Sequence, residues 1–75
     1  MENKQIIKYR RLGLNIAYYR KACGLSQSKL AEKVNISRTH MSRIETADCA
    51  VSLDVLFDIC DILNVTPSKM FDFRD

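Results

Sequence analysis

Two short helical patterns separated by only three residues constrain the fold of this chain more than any other feature. The first covers residues 27–34, the second runs from residue 38 to about residue 46, and residues 35–37 form the connection. Each pattern is only about two turns long, below the roughly 12–15 residues at which an isolated helix becomes marginally stable in water. Both helices therefore need the rest of the chain to pack against, and the tight turn between them fixes their mutual angle.

Three further helical patterns surround this pair. Helix 1 is predicted from about residue 3 to residue 23 with Gly24 as its stop, helix 4 from residue 53 to about residue 63, and helix 5 from Thr66-Pro67 onward. Ser26, Ser37 and Ser52 are expected to be N-caps. No strand pattern, linker or repeat interrupts the series, which predicts a compact all-α five-helix fold and one domain over residues 1–75. The expected core positions at and after helix 4 are Leu53, Leu56, Ile59, Cys60, Leu63, Met70 and Phe71.

Composition fits a small intracellular protein. The 75 residues are 47% hydrophobic, which is enough for one core and argues against disorder. No apolar run approaches the roughly 18–20 residues that a membrane span needs, and the N-terminal MENKQ has no signal-peptide pattern behind it. We therefore expect a cytoplasmic location and no contact with membranes.

The sequence contains no pattern of residues that would hold a metal or carry out catalysis. Cys23, Cys49 and Cys60 form no CxxC pair, and His40 is the only histidine. We expect Cys23 and Cys60 to be buried thiols and Cys49 to lie in a loop, as in a reducing compartment. No paired carboxylates, nucleophile arrangement or glycine-rich phosphate loop is present, so the prediction is a protein that is not an enzyme and has no cofactor.

Charge is distributed unevenly along the chain. Through Arg43 there are ten basic and two acidic residues, a net charge of +8; from Ile44 onward there are two basic and seven acidic residues, a net charge of −5. A bias of this kind can reflect solvation alone, but it is also typical of a protein in which one part meets a polyanion.

The second short helix carries an unusual outer face. Thr39, Ser42, Arg43 and Thr46 share one side of a helical wheel, with Arg38 at its leading edge, while His40 lies toward the flank and is expected to be partly packed. Short hydroxyl side chains beside guanidinium forks suit base edges and phosphates in the DNA major groove. Surface solvation is the competing interpretation of these residues.

The run QSKLAEKVNISRTHMSRIE, residues 27–45, resembles the helix-turn-helix of lambda-repressor-like, Cro-type DNA-binding domains, with the motif at 27–46. Ala31 matches the small residue at the helix crossing, and the similarity extends over about residues 12–71. The resemblance implies double-stranded DNA as partner and an ion pair between Arg20 and Glu45. It also implies DNA contacts at Gln27, Ser28, Ser37, Arg38, Thr39, Ser42 and Arg43.

Two positions depart from the pattern of that family. Ala47 stands where the family usually has glycine, and Asp48 stands where it usually has basic loop residues that contact phosphate. An acidic residue close to phosphate lowers affinity. Either the loop turns away from the DNA, or non-specific binding is weaker than in relatives. Asn35 also replaces a common glycine, a mild change because asparagine tolerates the left-handed conformation.

Three functions remain open from the sequence. The first is a sequence-specific transcriptional regulator, a repressor or controller protein, that binds a palindromic operator as a homodimer. The second is an antitoxin-type autoregulator that also binds a protein partner through its acidic C-terminal part, and the third is an interaction module without DNA binding. Apolar candidates for a dimer contact are Phe57, Ile62, Phe71 and Phe73.

Overall fold

The computed structural model describes residues 4–73, and in that range five α-helices follow one another without a strand. They are α1 (Ile6–Ala22), α2 (Gln27–Lys33), α3 (Arg38–Glu45), α4 (Leu53–Leu63) and α5 (Pro67–Met70). The predicted all-α fold of five helices is confirmed. Helix α1 begins at Ile6 rather than near residue 3, which lies outside the described residues.

Four helices begin in the same way, with a hydroxyl side chain that accepts a hydrogen bond from the backbone N–H three residues later. Such N-caps satisfy one of the N–H groups that have no partner within the helix. Because α2 to α5 are short, a large share of their backbone groups lies at helix ends. The four caps and their donors are Ser26 with Lys29, Ser37 with His40, Ser52 with Val55, and Thr66 with Lys69.

Four helices also end in the same way, with a residue in the left-handed region just after the last turn. This geometry lets the next N–H bond back to a carbonyl of the final turn and reverses the chain within about one residue. The predicted left-handed Asn35 is confirmed, with φ of 61°. The left-handed residues are Gly24, Asn35, Ala47 and Asn64, and the N–H groups of Leu25, Ile36, Asp48 and Val65 close the motifs.

The core lies between α1, α4 and the helix-turn-helix pair. Helix α1 crosses the end of α3 at Gly13, where a Cβ atom would lie 2.3 Å from the Glu45 backbone oxygen. Only glycine permits an approach that close. The fully buried large side chains of the described residues are Ile16, Leu30, Met41, Leu56, Ile59, Cys60 and Met70.

Two residues predicted to be buried are exposed at the edge of this core. Leu53 and Phe71 flank an open apolar groove that Tyr9 and Leu12 of α1 also line. Leu53 is the first residue of α4 and Phe71 follows the last residue of α5, so neither has a full turn of helix around it. Nearby, the Asn15 side-chain amide joins α1 to the end of α5 by donating to the Met70 carbonyl at 2.9 Å.

The cysteines are only partly as predicted. Cys60 is buried, and burial together with the nearby Asp61 charge raises the pKa of its thiol. Cys23, which was predicted to be buried, is exposed because it follows the last residue of α1, and its thiol lies 3.6 Å from the Leu63 carbonyl.

Candidate nucleic-acid interface

The outer face of α3 is polar and open to solvent, and its inner face is fully packed. Arg38, Thr39 and Arg43 are exposed and Ser42 is half-buried, while Met41 on the other side is fully buried. The inner face of α3 therefore packs in the core, and its outer face presents hydrogen-bond donors and acceptors to solvent. An exposed helix of this width fits the major groove of B-DNA.

Hydroxyl side chains form hydrogen bonds at both ends of α3, and His40 in its first turn is exposed. The Ser37 hydroxyl accepts the His40 N–H at 3.0 Å, so its oxygen already has a structural role as a cap. His40 was predicted to be partly packed, but the structure exposes it because the core contact passes through Met41 and Ile44 instead. At the other end, the Thr46 hydroxyl donates to the Ser42 carbonyl at 3.0 Å.

A buried ion pair fastens the end of α3 to α1. Arg20 Nε donates to Glu45 Oε2 at 2.7 Å, and Arg20 Nη2 donates to Glu45 Oε1 at 3.1 Å. The third nitrogen of the guanidinium, Nη1, donates to the Leu25 carbonyl at 2.8 Å in the loop before α2. One arginine therefore joins α1, the α1–α2 loop and α3, with the bidentate geometry that makes such pairs strong.

Gln27 adds α2 to the same network. Its amide nitrogen donates to Glu45 Oε1 at 3.0 Å, so the first residue of α2 is tied to the last residue of α3. An amide nitrogen carries two hydrogens, which leaves a second one for an external acceptor such as phosphate. Ser28, the next residue, is exposed beside it.

The turn after α3 stays close to that helix. The Asp48 backbone N–H bonds the Arg43 carbonyl at 2.8 Å, and its carboxylate lies 3.4 Å from the Thr46 hydroxyl. Ala47, at the position where the family resemblance implies glycine, takes the left-handed conformation with φ of 61°. The Asp48 carboxylate is therefore held near the end of α3.

Within residues 4–73 no group of three or more potential ligands is placed to hold a metal ion. None of the helices described over that range combines the length and apolar character of a membrane span.

Sequence reasoning missed two structural contacts of this site. One is the close crossing at Gly13, which a glycine in the middle of a helical pattern could have indicated because glycine costs helix stability there. The other is the bond from Gln27 to Glu45, for which the sequence carries no signal, since the two residues are joined only by the tertiary fold.

The five-helix fold with its α2–α3 pair is that of the helix-turn-helix proteins, a class of non-enzymatic transcriptional regulators that bind DNA. The chain belongs to the helix-turn-helix family, whose sequence model matches residues 16–70. This confirms the resemblance found in the sequence. A comparison with curated proteins finds no match.

Solved structures with the same fold include two regulators. The restriction-modification controller protein C.AhdI from Aeromonas hydrophila is 25% identical with a TM-score of 0.81, and the match covers 85% of this chain and 97% of that protein. The clp gene regulator ClgR from Corynebacterium glutamicum is 24% identical with a TM-score of 0.80, and the match covers 84% of this chain and 81% of ClgR. The second similarity shows the fold alone.

Proposed function

We propose that this protein is a sequence-specific transcriptional regulator, a repressor or controller, that acts in the cytoplasm by placing α3 in the major groove of a palindromic operator. One observation carries the proposal: the buried Arg20–Glu45 pair, joined by Gln27, holds α3 while its polar face stays open. A probe that is rigid before binding loses little conformational freedom on DNA. The similarity to a controller protein along nearly its whole length supports this function over an antitoxin.

Different parts of α2 and α3 are assigned to different parts of the DNA. Arg38, Thr39, Ser42 and Arg43 lie on α3 and are assigned to base edges and adjoining phosphates. Gln27, Ser28 and Ser37 lie at the starts of α2 and α3, where backbone N–H groups and the helix dipole favour phosphate. In this assignment, α2 crosses the DNA backbone and α3 reads the sequence.

A pair of alanine variants separates these two roles. Arg43→Ala should cost about 1–3 kcal/mol on the preferred site and remove the preference at one base pair in each half-site. Lys29→Ala, on α2, should weaken binding to all sequences by a similar factor and reduce the salt dependence by about one counterion per subunit if it contacts phosphate. The measurement is a set of titrations on matched and single-mismatch duplexes at several salt concentrations.

One result of these titrations would contradict the assignment of Arg43 to a base edge. If Arg43→Ala lowers affinity equally on all duplexes and sequence preference survives, Arg43 is a phosphate contact and the reading passes to Arg38, Thr39 and Ser42. Lys29 is a suitable control because its substitution is expected to leave the fold intact. Its ammonium lies 3.4 Å from the exposed Glu32 carboxylate, and a pair of that kind contributes little to stability.

The proposal includes a two-fold homodimer. One domain of this size buries only about 600–1,000 Å² on DNA, and small domains usually reach useful specificity as two copies on half-sites about 34–36 Å apart. The groove flanked by Leu53 and Phe71 offers the contact, and there the rings of Phe71 and Phe73 meet edge to face with centroids 6.3 Å apart. Phe57 and Ile62 are exposed beside the aspartates of α4, so a symmetric contact centred on Phe71 and Phe73 does not bring the two sets of α4 aspartates together.

Sedimentation tests this dimer. Phe71→Glu should shift the protein toward monomer, because a charge would enter the centre of the apolar contact. Ile62→Glu, at the far edge of α4, should leave the dimer intact. A wild-type protein that sediments as a monomer both free and on a palindromic site would refute the two-fold arrangement.

A further inference from the structure

The side of α1 that faces away from the core carries an apolar row. Ile7, Leu14 and Tyr18 are 59%, 67% and 52% exposed. Their spacing places them on one side of α1, opposite the fully buried Ile16. The Tyr18 ring is held in an edge-to-face contact with Tyr19, with centroids 5.1 Å apart. No contact proposed for the operator or for the two-fold dimer uses this row.

Basic side chains run along both sides of the apolar row. Lys8, Arg10, Arg11 and Lys21 are exposed, and α1 contains no acidic residue. Lys8 lies in the first turn, where the helix dipole disfavours a cation. Helix stability therefore does not explain the position of this charge.

Helix α4 presents the opposite arrangement. Asp54, Asp58 and Asp61 are exposed beside Leu53 and Phe57, and α4 contains no basic residue. Asp61 lies in the last turn, where the dipole disfavours an anion. Both helices thus have an apolar row beside a charged row, and the signs of the two charged rows are opposite.

We propose that α1 of one copy docks on α4 of a second copy. In this contact the row of Ile7, Leu14 and Tyr18 packs beside Phe57, and the cations of α1 lie against the aspartates of α4. The second copy is the occupant because this chain itself carries the complementary surface, whereas pairing α4 with α4 would oppose the aspartates. Electrostatic complementarity of this kind selects the partner and fixes the register.

The contact is heterologous, which has a consequence for assembly. Each copy offers one α1 and one α4, so after one contact forms, an unused α1 and an unused α4 remain. Copies can therefore be added beyond two. Helix α4 has only 11 residues, so the buried surface falls in the range of weak, transient interfaces, and association is expected only at high protein concentration.

Charge-reversed variants test the proposal by sedimentation equilibrium of nucleic-acid-free protein over a wide concentration range. The wild type should exceed the mass of a dimer at high concentration. The double variants R10E/K21E in α1 and D58K/D61K in α4 should each weaken this further association by at least about tenfold, because like charges would then face each other. A 1:1 mixture of the two variants should restore it, since each reversed helix then meets an opposite charge.

The control variant K33E/K69E changes the net charge by the same amount as R10E/K21E and touches neither helix. It should associate like the wild type, and circular dichroism should show unchanged helix content for all variants. The absence of wild-type species beyond a dimer, or a mixture that fails to associate, would overturn the proposal. Neither result bears on DNA binding, and the mixing experiment gives its answer whether or not the two-fold dimer forms.

Discussion

Glu45→Ala should lower the free energy of unfolding by about 3–5 kcal/mol, because it leaves the buried Arg20 guanidinium without its partner. The Arg20 and Glu45 side chains are only 9% and 4% exposed. The substitution also removes the acceptor of the Gln27 amide. For a chain of 75 residues, a loss of this size is a large part of the whole stability. Chemical denaturation measures it directly.

Two further variants show whether burial is the cause. Glu32→Ala removes a carboxylate from an ion pair in which Lys29 and Glu32 are 55% and 72% exposed, and it should cost at most about 0.5 kcal/mol. Arg20→Ala combined with Glu45→Ala should cost less than the sum of the two single substitutions, since neither charge is then stranded. An unchanged melting temperature for Glu45→Ala would exclude a buried, stabilising pair.

Gly13→Ala should destabilise the protein by about 1–3 kcal/mol, although alanine is the better helix former by about 1 kcal/mol. The new Cβ would lie 2.3 Å from the Glu45 oxygen and 2.9 Å from the Ile44 oxygen. Both are backbone atoms, so α1 and α3 must separate to accommodate it. We expect weaker DNA binding as well, because the separation moves α3 relative to the rest of the domain.

Gly24→Ala is the matched control for this substitution. Gly24 has φ of +73°, and a Cβ atom added there would meet no neighbouring atom within 4 Å, so alanine introduces backbone strain without a clash. The expected cost is about 1–2 kcal/mol, with DNA affinity retained in conditions where the protein is folded. Equal DNA affinity for Gly13→Ala and Gly24→Ala would contradict the role of the close crossing.

Local sequence signals predicted the fold well because capping and turn-forming residues stand at the ends of the helices. Ser26, Ser37 and Ser52 act as caps, and Asn35 takes the left-handed conformation that was expected of it. Each of these features depends on a residue and its neighbours within one turn. The family resemblance gave the order of the helices independently.

Burial at the edges of the core was harder to predict. Periodicity placed Leu53, Phe71 and Cys23 inward, yet all three are exposed, and each lies at or just beyond the end of a helix. The outer face of α3 followed from the helical wheel, but the link from Gln27 to Glu45 depends on the angle between α2 and α3. That angle is a property of tertiary packing, which no local pattern contains.

Selection of bound sequences from random duplex DNA tests the central claim, that α3 reads base pairs, most directly. We expect an enriched palindromic motif with half-sites one helical turn apart, and loss of at least one specified base pair per half-site when Arg43→Ala is used in the same selection. A pool that remains random after repeated selection with folded wild-type protein would contradict the claim and favour an interaction module without DNA reading.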